Sequence, residues 1–269
     1  MEKNCRYVAG APFPYQYKYE HMAVTTDCII FTYDERTLKV LLILRGGEPY
    51  KGCWAFPGGF LRMDETAREG ALRELREETA LVPEAIRELG VFSAVDRDPR
   101  ERVITVAYYA LVKPSAVVGG DDAADAAWFP VDHLPELAFD HRQIFAAAME
   151  RLRRDIHFEP LGFDLLDERF TIPDLQRLYE IILGTQFDRR NFQRKILASG
   201  ILEEIPMPEA LGEEECERSV PRFMSMDDVP VEKSRVEQAK KRPGRLASLF
   251  RFKKEKYAEM KREGDKYEF

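Results

Sequence analysis

The sequence predicts an α/β (α+β) fold in two parts. A mixed sheet sandwiched between helices is expected over residues 1–155, and a helix-turn-helix domain, which the resemblance below makes a winged one, over residues 156–269. Three observations predict this. Apolar, β-branched runs recur through the first half at strand length. Between them lies one stretch, residues 59–81 (GFLRMDETAREGALRELREETAL), that reads as a helix with an acidic face. The second half changes to two helices around a short turn with glycine.

Composition bounds the function. The 269 residues suit one large domain or two modest ones, and 45% hydrophobic content is enough for a sizeable core. No apolar run approaches the roughly 18 residues of a membrane span, so no membrane partner is expected. The opening MEKNCRYVAGAPFPYQYKYE is tyrosine-rich and lacks a signal-peptide apolar core. Cys5, Cys28, Cys53 and Cys216 form no C-x-x-C pair, which predicts reduced thiols in the cytoplasm with neither disulfides nor a zinc site. A net charge of −7 argues against indiscriminate nucleic-acid binding, although the charge is unevenly spread.

In chain order, residues 1–20 lead into the first strand. Residues 23–33 (AVTTDCIIFTY) and 39–45 (KVLLILR) flank the turn Asp34-Glu35-Arg36-Thr37, a hairpin pattern. Gly46-Gly47-Glu48-Pro49 ends it. The segment 51–59 (KGCWAFPGG) follows; its glycines, Gly59 among them, allow close backbone approach, while Trp54 and Phe56 are expected to pack. On the helix that follows, Glu74, Glu77 and Glu78 fall at i, i+3 and i+4 on one face. Exposed like charges at this spacing repel by about 0.2–0.5 kcal/mol per pair. A hard divalent cation removes that penalty, because Mg²⁺ or Mn²⁺ takes oxygen ligands. Leu72 and Leu75 can face the core, and Glu69 and Arg73 are spaced as an i, i+4 pair.

Residues 89–95 make a strand or turn. The charged loop 96–102 (DRDPRER) precedes a strong strand at 103–112. Its Arg97, Asp98, Arg100 and Arg102 fit a solvated turn or a cluster facing a phosphate-bearing ligand. Asp121 or Asp122 lies in a flexible acidic loop before the closing strand 127–130. A helix through 142–153 follows, with Asp140 as its N-cap. His141, a lone histidine, is read as structural.

In the second half, Thr171 is expected to cap a helix with Pro173 just inside it and Gly184 at its end. A second helix spans 188–199. It carries Arg189, Arg190, Arg194 and Lys195 against Asp188, and Asn191 and Gln193 can pair with base edges. Phe192, Ile196 and Leu197 form the core-facing stripe. The basic face fits either a solvated accessory domain or a DNA-reading helix.

The stretch 59–81 resembles the Nudix box, G-x5-E-x7-R-E-U-x-E-E-x-G-U with U aliphatic, and W-x-x-P-G-G before it is similar to Nudix enzymes. Ala80 stands at the second glycine, the one mismatch. The resemblance implies a loop–helix–loop holding Mg²⁺ (or Mn²⁺) against a diphosphate. Glu74 and Glu78 would be the main metal ligands, Glu77 a further ligand and Glu65 an outer-shell carboxylate. Arg73 would orient them, making Glu77, Glu78 and Arg73 the catalytic group, and family enzymes place a base near Asp121 or Asp122. An R-D-P-R before a V-x-x-V-A-Y strand occurs in Nudix domains that act on or sense ADP-ribose-like molecules, which favours the ligand reading of loop 96–102.

Residues 170–203 look much like the winged helix of the Nudix-related transcriptional regulators. So does 242–252, as a wing returning as a strand, with Arg245 on the DNA side. The intervening 207–240 breaks the resemblance and reads as a disordered insertion. Three readings follow: a regulator sensing a nucleotide sugar, a Mg²⁺-dependent pyrophosphohydrolase with an accessory C-terminal domain, or both. The box carboxylates are intact, so hydrolysis of ADP-ribose to AMP and ribose 5-phosphate is chemically available. Ala80 weighs the other way, since alanine resists φ > 0 by about 1 kcal/mol and a shifted helix exit would move the ligands. Related regulators carry Thr-Ala at this point. The preferred reading is a regulator that binds an ADP-ribose-like or sugar-derived effector, with hydrolysis kept, acting as a homodimer on double-stranded operator DNA with half-sites roughly 34 Å apart.

Overall fold

The computed structural model describes residues 19–117, 119, 123–205, 248–263, 267 and 269, and the backbone of β1 (Arg6–Tyr7) and β2 (Tyr15–Gln16). The expected insertion at 207–240, the front of the wing with Arg245, the acidic-loop residues Asp121 and Asp122, and Cys5 and Cys216 lie outside the described residues. Cys28 and Cys53 are free thiols, and none of the described helices is long and apolar enough to cross a membrane.

The predicted hairpin forms from β3 (Ala23–Asp34) and β4 (Thr37–Arg45). Next come β5 (Trp54–Ala55), β6 (Gly58–Phe60), α1 (Ala67–Thr79), β7 (Arg87–Phe92), β8 (Val103–Leu111), β9 (Ala123–Pro130) and α2 (His141–Asp155). The sheet runs β5-β4-β3-β8-β7, with β6 also on β3 and β9 on β4. β3 and β8 are parallel, from Ala23↔Val103 to Phe31↔Leu111, and the other pairs are antiparallel, so the sheet is mixed.

Side-chain alternation on β3 divides the core. Cys28 and Ile30 face α1, where they meet Ala71 and Leu75. Ile29 and Phe31 face the other way, into a core shared with α2 and the second half of the chain. Leu75 is fully buried, so Leu75→Ala would cost about 2–5 kcal/mol.

A 3-10 turn (Leu161–Asp164) leads to β10 (Phe170–Thr171), α3 (Ile172–Leu183), α4 (Arg189–Ala198), β11 (Leu202–Ile205), β12 (Leu249–Phe252) and α5 (Lys254–Glu263). Thr171 caps α3 in a reciprocal box with Asp174, Pro173 sits in the first turn, and Gly184 closes the helix at φ 65°, as the residue types predict. β12 pairs with β10 and β11 as a small wing sheet. α3 packs on α2, and Arg153 of α2 donates to the Ile182 carbonyl at 3.0 Å.

Three local expectations are corrected. Asp140 precedes α2 but makes no capping bond, because its carboxylate takes Arg97 instead. Glu69 does not pair with Arg73. It accepts from the Thr66 backbone N–H in a capping box, which satisfies an otherwise orphan donor. Leu197 is 38% exposed and off the core stripe, which Phe192 and Ile196 alone provide on α4.

Candidate functional site

A cavity of about 580 Å³ opens between the β3–β4 end of the sheet, the N-terminal end of α2 and the acidic face of α1. β6 brings Gly58 and Gly59 to its wall by pairing with Asp27 and Thr26. A Cβ at Gly59 would come 2.5 Å from Glu74 Oε1, so a larger residue there would push the Glu74 carboxylate aside. Glu74 and Glu78 line the cavity. Gly58 N–H donates to Glu78 Oε2 at 2.8 Å.

Arg73 organises the acids. Its guanidinium donates to both oxygens of Glu65 (2.9 and 2.6 Å), to Glu74 Oε1 (2.7 Å) and to Glu77 Oε2 (3.0 Å). The Arg73 bonds hold Glu65 down at about 2. Glu65 and Glu77 are therefore held on Arg73 and do not line the cavity, so the structure brings together two of the four predicted ligands. The shared acidic face is split, with Glu77 turned to Arg73 and Arg62.

Burial pushes the Glu78 carboxyl up to about 8, helped by the nearby Glu74 and Asp27 charges and opposed by the Gly58 hydrogen bond. The folded state then holds a proton that the unfolded chain has lost above its ordinary value of 4.5. Stability without a cation must fall as pH rises from about 4.5 through about 8. Melting temperature against pH is expected to show this fall in the wild type and not in Glu78→Gln. A divalent cation should flatten the profile by releasing the proton.

Ala80 takes φ 58°, ψ 7°, and its N–H bonds to Arg76 O at 2.9 Å, so the helix exit is not shifted. The alanine bears the strain in place. Ala80→Gly is expected to stabilise the protein by about 1 kcal/mol, a rise of roughly 2–4 °C in melting temperature by calorimetry.

Of the predicted ligand loop, Arg97, Asp98 and Arg100 reach the cavity. Arg102 does not, as its guanidinium donates to Ala94 O (2.7 Å) and Ser93 O (2.9 Å). Arg97 is buried in a bidentate pair with Asp140 (3.0 and 2.8 Å), and Arg100 pairs with Asp98. Sequence reasoning missed Asp27, Arg45, Phe139 and His141, which also line the cavity. His141 Nδ1 accepts from Phe56 N–H at 2.9 Å, and the ring stacks on Phe56 at 5.3 Å. Arg45 lies 4.8 Å over the Phe139 ring, and burial with the adjacent Arg100 charge lowers its pKa. Phe139 holds φ 54°, an unusual conformation for a bulky residue that puts its ring against Tyr50 at the mouth.

In the second half of the chain, Arg189, Arg190, Asn191, Gln193, Arg194 and Lys195 are exposed on α4. Arg194 donates to Asn191 Oδ1 at 3.0 Å, and Lys195 Nζ sits 5.0 Å over the Phe269 ring.

A mixed sheet with a glycine-backed helix of arginine-anchored glutamates defines a Nudix domain, and the capped helix pair with its returning strand defines a winged helix. The NUDIX domain profile matches residues 22–148, and the NrtR DNA-binding winged helix domain profile matches residues 162–213. The chain belongs to the Nudix-related transcriptional regulators, with an N-terminal Nudix domain and an NrtR-type winged helix. It is 32% identical to an ADPR-responsive transcriptional repressor of Acinetobacter baylyi over 72% of this chain and 80% of that one. The Nudix half is 46% identical to an ADP-ribose pyrophosphatase of Methanocaldococcus jannaschii, over 47% of this chain and 72% of that one. Shewanella oneidensis NrtR complexed with a 27mer DNA superposes with a TM-score of 0.62 at 30% identity, covering 85% of this chain and 93% of that one.

Nudix hydrolases use divalent metal ions, and the cavity fits one. Among the described residues no three acidic, histidine or cysteine side chains close around a common point. Magnesium does not need such a cage, since it binds through one or two carboxylates, waters and substrate phosphates. Glu74 and Glu78 supply that pair: both line the one cavity, Glu74 held by Arg73 and Glu78 by the Gly58 N–H, and this placement is the observation that favours the fit.

Proposed function

We propose that this chain is a DNA-binding regulator whose Nudix cavity takes an ADP-ribose-type nucleoside diphosphate, and that it hydrolyses that ligand slowly with Mg²⁺ or Mn²⁺. The observation that carries the reading is the pairing of two sites in one molecule. One is a cavity lined by box glutamates and arginines, and the other is an exposed basic helix packed through α3 and α2 onto the same core.

Glu74 and Glu78 would hold the cation, with Arg73 fixing the Glu74 carboxylate in place. The cation, when bound, neutralises the diphosphate and the charge that develops as water attacks phosphorus. Arg45 and Arg100 face the same cavity and add positive charge for the bridging phosphates. The glycines of β6 let the backbone approach the ligand, and the Phe139 ring, set edge-on against Tyr50, lines the cavity. The likeness of the Nudix half to a pyrophosphatase supports retained hydrolysis.

The domain division is drawn at residue 155, after α2. The working unit is a homodimer in the cytoplasm, with the two α4 helices reading half-sites roughly 34 Å apart. A ligand that prefers one arrangement of α2 against α3 would change that spacing. A mobility-shift assay with DNA upstream of the chain's own operon tests the reading. Retention at low salt that weakens as salt rises is expected, and no retention at low salt rejects the regulator.

A further inference from the structure

The inner wall of the Nudix cavity differs from its mouth. Asp27 is 6% exposed, and its Oδ2 has no hydrogen-bond partner. Arg97 Nη2 stands 3.6 Å from that oxygen, beyond hydrogen-bond reach, because the Arg97 guanidinium is committed in two bonds to Asp140. His141 Nε2 is 3.5 Å from the other Asp27 oxygen. Since His141 Nδ1 accepts from the Phe56 amide, a neutral ring carries its proton on Nε2, and burial keeps the ring neutral by lowering its pKa. Gly58 packs the backbone directly against this wall, where a Cβ would come 2.8 Å from Asp27 Oδ1.

The recess thus presents one unused carboxylate acceptor and an imidazole N–H donor. Its formal charge is −1, from Asp27 and Asp140 against Arg97. A phosphate would meet the Asp27 carboxylate there, and the adjacent guanidinium of Arg97 is already committed to Asp140. A hydroxyl would satisfy it, donating to Asp27 Oδ2, while a neighbouring hydroxyl accepts from His141 Nε2–H. A buried acceptor left without a donor is costly, and the group that supplies the donor gains that difference on binding.

We propose that Asp27, His141 and Arg97 form the subsite for a hydroxyl-bearing sugar, and that Asp27 selects diphosphate ligands that carry such a sugar beyond the phosphates. The inference rests on the reading of the cavity as a nucleoside-diphosphate site. It orients the ligand, with the phosphates at the arginine and glutamate end and the free sugar turned to the inner wall.

Isothermal titration of the full chain with ADP-ribose and with ADP, both with Mn²⁺, separates the two ideas. The wild type should bind ADP-ribose roughly 10- to 100-fold more tightly than ADP, the range of one hydrogen bond to a charged group. Asp27→Asn and Asp27→Ser should bring ADP-ribose down to the ADP level, with ADP affinity unchanged and Mn²⁺ binding retained. Retained ADP binding also shows that each variant is folded. Preference for ADP-ribose that survives both substitutions overturns the subsite, as does equal loss of both nucleotides. Loss of Mn²⁺ binding would make Asp27 a cation ligand and overturn it as well. Failure of the wild type to bind either nucleotide rejects the cavity reading itself.

Discussion

Glu78→Gln is expected to lower Mg²⁺-dependent turnover of ADP-ribose at least about 100-fold, the loss typical when one group that stabilises developing charge is removed. The glutamine keeps the volume and can still accept the Gly58 N–H through its amide oxygen. It cannot present a second anionic oxygen to a cation beside Glu74. Operator retention should be unchanged, because Glu78 lies on α1 and its hydrogen-bond partner is Gly58 of the same domain. Chromatographic detection of AMP measures the first effect, and a mobility shift the second. Turnover within a few-fold of the wild type would remove Glu78 from the cation site.

The second large effect is on DNA. Arg190 and Arg194 are exposed on α4, and neither is in an ion pair among the described residues. Each neutralises about one phosphate, so each alanine substitution should weaken binding and reduce the slope of log K against log salt by about 1. Together they are expected to cost roughly 100-fold near physiological salt. Phe192 and Ile196 hold α4 from beneath and are untouched, so the variant should remain folded with unchanged ADP-ribose turnover. An unaltered salt slope in the double variant would show that α4 does not face the phosphates.

Much of this was legible before any coordinates. The hairpin, the box helix, the capped α3 and its glycine stop are encoded locally, in residues a few positions apart whose chemistry suffices to form them. The cavity's inner wall was not. Asp27 and His141 are 114 positions apart and meet only when β3 and the start of α2 converge, and neither stands out in its own segment. Two of the other misreadings share one physical origin, a side chain with two possible partners. Asp140 could cap α2 or take Arg97, and the buried guanidinium outcompeted the helix end. Glu69 could pair with Arg73 or close the Thr66 box, while Arg73 found three other glutamates. Leu197 follows the helical period of Ile196's face closely enough to mislead, yet it stays 38% exposed. At Ala80 the residue type predicted displacement, and the surrounding loop imposed the left-handed conformation regardless.

A ligand in the Nudix cavity is predicted to alter the grip of α4 on DNA. Fluorescence anisotropy of a labelled upstream operator, titrated with full-length Glu78→Gln to prevent turnover, tests it most directly. Because this substitution weakens the cation site, wild type with Ca²⁺ in place of Mg²⁺ should be run beside it. ADP-ribose is predicted to weaken operator affinity by about 5- to 150-fold, the usual range of coupling between two sites, while AMP does not. Affinity unchanged at saturating ADP-ribose, with binding of the nucleotide verified calorimetrically in the same sample, would contradict the claim.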